Sequence, residues 1–125
     1  MDKVTTYYAY SAAWNEPTDR ERRNELLKQS WADDGAFFDE ETPDGIVGRP
    51  ALSAYIAATH EEMPGLVVAE TSGPQVLGDR LRVGWVARQD GIEPYTGTDF
   101  VEFAGDGRII RVTMFYDSTP DSDPS

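Results

Sequence analysis

Trp31-Ala32-Asp33-Asp34-Gly35-Ala36-Phe37-Phe38-Asp39-Glu40 decides how this chain folds, because a helical spacing on its left becomes a strand spacing on its right. Leu26, Leu27, Ser30 and Trp31 keep the three-to-four spacing of a buried helix face. Asp33-Asp34-Gly35 is then read as the break, with Gly35 free to take the positive φ that ends many helices. Ala36 to Glu40 continues as an aromatic-rich strand. Side chains alternate along a strand, so Asp39 shares a face with Phe37. A carboxylate turned inward beside aromatics is costly unless paired, and burial raises its pKa. Asp39 is therefore the first candidate for chemistry. The plainer reading is that it caps the following turn.

The composition narrows the function classes. At 125 residues, the chain suits one domain with one core. Hydrophobic residues at 39% and charged residues at 27% are an ordinary globular mix. With 11 Lys and Arg against 23 Asp and Glu, the net charge of −12 argues against a phosphate backbone as partner, so no nucleic acid is expected. Without Cys there is no disulfide, thiol nucleophile or thiolate site, and a single His, His60, makes a histidine-rich zinc centre implausible. No metal site is expected. Met1 to Tyr10 lacks the apolar core of a signal peptide, and no run approaches a membrane span. A cytoplasmic protein without a membrane partner is the expectation.

Around the opening stretch the chain reads in order. Tyr7, Tyr10 and Trp14 share one face of a first helix over Val4 to Trp14. After Pro17, Thr18 is placed to cap a second helix, with Glu21 completing a capping box. That helix turns Leu26, Leu27 and Trp31 inward and leaves Arg20, Arg22, Arg23 and Lys28 to solvent. Glu41-Thr42-Pro43-Asp44-Gly45 is a turn. Gly48-Arg49-Pro50 opens a third helix whose inner stripe is Leu52, Tyr55, Ile56, Thr59 and Met63, and Pro64-Gly65 ends it. His60 falls one position past that stripe, at the surface or a rim.

Only strands are read beyond this point: Leu66 to Thr71, Gln75 to Leu77, Leu81 to Gln89, Tyr95 to Phe103 and Arg108 to Asp117. Gly78-Asp79, Asp90-Gly91 and Gly105-Asp106-Gly107 supply the hairpin turns. Leu81, Val83, Trp85 and Ala87 share a face, as do Tyr95, Gly97, Asp99, Val101 and Phe103, and Ile110, Val112, Met114 and Tyr116. Asp99 is the single acid on these faces and the second anomaly of the chain. Helices first and a meander after them give an α+β fold. Residues 1–117 form the domain, and 118–125, rich in Pro, Ser and Asp, a flexible acidic tail.

This order resembles the nuclear transport factor 2-like superfamily, with its SnoaL-like polyketide cyclases and ketosteroid isomerases, over about Val4 to Tyr116. Two segments carry the resemblance. The stretch from Trp31 to Asp39 is similar to the helix-to-strand passage of ketosteroid isomerases, whose final acid is the general base. Asp99-Phe-Val-Glu-Phe-Ala-Gly-Asp-Gly-Arg-Ile109 looks like the strand and hairpin that begin with their protonated oxyanion-hole acid. The resemblance implies a cone-shaped α+β barrel, three N-terminal helices packed on a curved antiparallel sheet. It also implies a cofactor-free enzyme moving protons on a hydrophobic carbonyl compound. Asp39 would be the base, Asp99 the oxyanion-hole acid and Tyr10 the oxyanion-hole phenol, with Tyr7 the alternative. Trp14, Trp31, Phe37, Tyr55, Trp85, Phe103, Met114 and Tyr116 would wall the substrate cavity.

The resemblance is not complete. Glu40 follows Asp39 where the isomerases commonly have Pro, the sheet offers no inward His such as the superfamily's dehydratases use, and no inward Arg accompanies Asp99 as in its epoxide hydrolases. A scaffold hosting many activities leaves a second class open, a non-catalytic ligand-binding or assembly module. The same resemblance implies a homodimer through the convex sheet face, where Val86 and Phe100 are the apolar candidates. Asp99, with no cation among Tyr95, Val101, Phe103 and Trp85, is expected to stay protonated at neutral pH. Asp39, beside Glu40 and Glu41, is expected to be wetter and ionised.

Overall fold

Asp2 starts the first helix by accepting the Thr5 N–H at 2.8 Å. The computed structural model describes residues 2–120. Helix α1 spans Lys3–Trp14 and α2 spans Arg20–Ser30. Asp19, not Thr18, caps α2, accepting from Arg22 N. The capping box is replaced by Glu16, whose carboxylate takes the N–H groups of Thr18 and Asp19.

Helix α2 runs directly into strand β1, Trp31–Phe38. The break expected at Asp33-Asp34-Gly35 is absent, because Trp31 is already extended at φ −115° and ψ 127°. Arg49 holds that junction, donating from Nε to Trp31 O at 2.8 Å and pairing through Nη1 with Asp33 at 2.8 Å. Gly35 is needed for space rather than for a positive φ: a Cβ there would lie 2.5 Å from Trp31 Nε1.

A two-residue strand β2, Ile46–Val47, and α3, Arg49–Glu62, follow. The remaining strands are β3 Val67–Leu77, β4 Arg80–Gln89, β5 Ile92–Phe103 and β6 Ile109–Ser118. The segments expected as separate strands around Gly73 are thus one, and Ser118 belongs to β6 rather than to a tail. Residues 121–125 lie outside the described residues.

The sheet order is β2-β1-β6-β5-β4-β3. All neighbours are antiparallel except β1 and β6, which pair in parallel. Register shifts occur in four of the five pairings, and such bulges bend and twist a sheet. The sheet is curved and unclosed, with the three helices packed on it.

The main core joins Tyr7 and Tyr10 of α1, Leu26 and Leu27 of α2, and Leu52 and Ile56 of α3 to Phe37, Leu81, Val83, Val101, Phe103, Ile109 and Val112 of the sheet. Each fully buried large side chain contributes roughly 1.5–3 kcal/mol. Two side chains expected at the surface are buried within the helical layer. Arg23 is 4% exposed, donating from Nε to Ser53 Oγ and from Nη1 to Glu16 O. His60 is 6% exposed, and its Nε2 lies 2.6 Å from Trp14 O. A carbonyl oxygen only accepts, so Nε2 carries the proton. Among the described residues no helix is long and apolar enough to cross a membrane.

Candidate active site

A smaller cluster of Leu66, Trp85 and Ala87, with Met63, Val68, Tyr95, Met114 and Tyr116 against it, continues the core toward one end of the sheet. Between the two clusters the side chains do not close. They leave a cavity of about 390 Å³ bounded by α1, α3, the end of β1 and the concave face of β3 to β6. The volume is within the range of small-molecule sites.

Asp39 and Asp99 both line this cavity and are similarly buried, at 7% and 6% exposure. What separates them is their donors. Asp39 follows the last residue of β1, where the chain turns. Its Oδ1 accepts from Glu41 N at 3.0 Å, Thr42 N at 2.8 Å and Thr42 Oγ1 at 2.7 Å. Its Oδ2 accepts from the Tyr55 hydroxyl at 2.7 Å. The turn-capping role and the cavity role therefore coincide in one carboxylate, and the expectation that Asp39 would be the wetter acid is corrected.

Asp99 sits mid-strand in β5 with few donors. Tyr7 O–H donates to Oδ2 at 3.3 Å. The Trp85 indole is close enough to lower the acid's pKa, yet its Nε1–H is buried and meets no acceptor at hydrogen-bonding geometry. Burial dominates and pushes the Asp99 pKa up to about 7, against the smaller opposing effects of Tyr7 and Trp85. Burial therefore holds the acid toward its neutral form at pH values where an ordinary aspartate is ionised. Its phenolic partner is Tyr7, the alternative to Tyr10.

Tyr10 also lines the cavity, 2% exposed. Its hydroxyl accepts from Trp14 Nε1 at 2.9 Å, so its own proton remains to be donated. Burial, then the nearby Asp99, raises its pKa well above that of an ordinary phenol. Burial likewise raises Tyr116, to about 12.

Of the expected cavity wall, Trp14, Phe37, Tyr55, Trp85, Met114 and Tyr116 do line the space. Trp31 and Phe103 do not. Trp31 is fully buried behind Tyr10, stacked on it at 5.3 Å, and Phe103 packs in the main core with Lys3 Nζ 5.8 Å from its ring centre. The bulge after Trp31 and the α1 ring in front of it put that indole one layer too deep. Glu41 and Glu62 at the cavity edge were not anticipated. The available signal was the spacing of Glu62, seven positions after Tyr55 on the same helix face. Among the described residues no group of three or more His, Cys, Asp or Glu could hold a metal ion.

Compared with solved structures, the chain is similar to a proposed isomerase of the SnoaL-like family from Agrobacterium tumefaciens. Identity is 33% and the TM-score 0.83, over 92% of this chain and 97% of that one. The chain belongs to the SnoaL-like family. Two further likenesses are at the level of SnoaL-like fold alone. One is a proposed SnoaL-like polyketide cyclase from Jannaschia, at 18% identity and TM-score 0.74 over 92% and 85% of the two chains. The other is a protein of ketosteroid isomerase-like fold from Catenulispora acidiphila, in complex with trimethylamine, at 21% identity and TM-score 0.70 over 89% and 84%. No family model and no curated protein matches this SnoaL-like sequence.

Proposed function

We propose that this SnoaL-like protein is a cofactor-independent acid/base enzyme acting on a small hydrophobic carbonyl compound through an enolate. The observation that carries the reading is the pairing of two buried carboxyls with unlike donor sets on one aromatic cavity. Asp39 Oδ2 removes a proton from the carbon beside the carbonyl. The C–H electron pair forms the enolate double bond, and the carbonyl π pair moves to oxygen. Protonated Asp99 and the free O–H of Tyr10 donate to that oxygen. Tyr7 occupies Asp99 Oδ2, leaving Oδ1 as the atom that carries the proton. Tyr55 orients the base. Protonated Asp39 then returns its proton to a different carbon in an isomerisation; in a cyclisation the enolate carbon attacks a second carbonyl, whose π pair moves to oxygen, and the resulting alkoxide takes the proton from Asp39.

The experiment is Asp39→Asn assayed on an enone. The Asn keeps an acceptor for Glu41 N and Thr42 N, so the fold is retained. The expected loss in kcat/KM is about 10²–10⁴-fold. Turnover within about threefold of the parent, with the circular dichroism spectrum unchanged, removes Asp39 from the mechanism.

A second reading, a ligand-binding module without turnover, is favoured by one observation. Three of the four donors to Asp39 serve its local turn, which is a structural task. Under that reading no enone is turned over by the parent protein, and Asp39→Asn changes stability alone.

We also propose that two copies pair through the convex sheet face. Phe100 and Phe115 support this, 44% and 50% exposed with rings edge to face at 6.0 Å. Val86, the other apolar residue expected there, is buried at 5% exposure and does not contribute.

A further inference from the structure

The cavity lining carries four acids, Asp39, Glu41, Glu62 and Asp99, and no Lys, Arg or His. With Asp99 held toward its neutral form, the negative charge concentrates on the other three. Among the described residues the salt bridges involve Asp33, Asp79, Glu102 and Asp106, none of them in the cavity. Glu41 feels this imbalance: burial first, then Asp39, Glu62 and Glu40, raise its pKa.

Aromatic rings border the same charge. Glu41, Tyr55 and Tyr116 all line this cavity, and the Glu41 charge contributes to raising the pKa of both phenols. Trp14 stands perpendicular to Tyr55 at 6.0 Å, and Tyr95 lies 6.0 Å from Tyr116. Ring faces attract cations, and carboxylates beside them add to that attraction. An anionic substrate meets like charge and finds no compensating cation.

We propose that the site selects its substrate by charge, accepting molecules that carry an alkylammonium group at the Glu41, Tyr55 and Tyr116 end and rejecting carboxylates and phosphates. The neutral carbonyl end then sits against Asp99 and Tyr10. The inference rests on the cavity being the substrate site, but it does not require turnover.

The test is calorimetric titration with the isosteric pair 3-hydroxyphenyltrimethylammonium and 3-tert-butylphenol, and with 3-hydroxybenzoate, whose carboxylate takes the place of the ammonium. The cation should bind about 10-fold or more tighter than its neutral isostere, and the anion weakest. Added salt should shrink the cation-to-neutral ratio. Glu41→Gln should lower that ratio several-fold without weakening 3-tert-butylphenol. A neutral isostere binding as tightly as the cation overturns the proposal. So does a ratio unmoved by both Glu41→Gln and Glu62→Gln, or the absence of binding by all three probes. Enone turnover that depends on Asp39, with no cation preference, defeats this inference and leaves the acid/base reading standing. The converse result separates them the other way.

Discussion

Tyr7 on α1 donates its phenolic proton to Asp99 Oδ2 on β5 at 3.3 Å, joining helix and sheet within the cavity lining. A hydrogen bond to a carboxylate favours the charged form, so Tyr7 works against the burial that raises Asp99. In the proposed mechanism Asp99 must be protonated, and kcat/KM should fall as pH rises through about 7. Tyr7→Phe should move that alkaline limb to higher pH. A limb that stays in place, or moves to lower pH, counts against Asp99 as its origin.

The same acid links pH to stability. Its folded pKa of about 7 lies above the ordinary 3.8, so between these values the native state keeps a proton that the unfolded chain releases. Stability therefore falls as pH rises through that window, by an amount of order 4 kcal/mol, and levels off above it. Asp99→Asn removes the cost. Urea unfolding of parent and variant at a series of pH values should show the difference moving in the variant's favour from pH 4 to 8. A difference independent of pH contradicts the assignment.

Gly97 lies directly across from Trp85 on the neighbouring strand. A Cβ there would stand 2.2 Å from Trp85 Cζ2 and 2.4 Å from Phe115 O. Displacing the indole relieves only the first of these contacts, so the backbone of β5 or β6 must shift as well. Gly97→Ala should cost about 1–3 kcal/mol, the usual range for overpacking, and alter tryptophan fluorescence. Parent-like stability and spectrum would show that the indole has room to spare.

Phe100 and Phe115 provide the test of pairing. Sedimentation velocity should show a dimer at micromolar concentration, tightening with salt because each chain carries −12. The double change Phe100→Glu, Phe115→Glu should give monomer with its circular dichroism unchanged. A parent that is monomeric across salt refutes the proposed face.

Asp39 and Asp99 were legible in the sequence because each interrupts an apolar strand face, which period-two alternation exposes directly. Choosing between Tyr7 and Tyr10 was not possible that way. They lie three residues apart on one helix face, and only the tilt of α1 against β5 decides which hydroxyl meets Asp99. The parallel pairing of β1 with β6 was hidden because its partners, such as Phe37 and Val112, are far apart in sequence. Ile46–Val47 is too short to show a period. Arg23 and His60 read as surface residues because their partners include backbone oxygens, Glu16 O and Trp14 O, which carry no sequence signal. Trp31 and Phe103 have the chemistry of a cavity wall, and only layer depth assigns them to the core.

The enolate-stabilising role requires Asp99 to carry a proton in the folded protein under conditions where an ordinary aspartate does not. Carbon-detected NMR of ¹³C-labelled aspartate Cγ, with the Asp99 resonance assigned by its loss in Asp99→Asn, reads this without any substrate. The expected result is a carboxyl titrating with a midpoint near 7. A midpoint near 4 would mean that Asp99 is an ordinary ionised aspartate, and the enolate-stabilising role would be withdrawn.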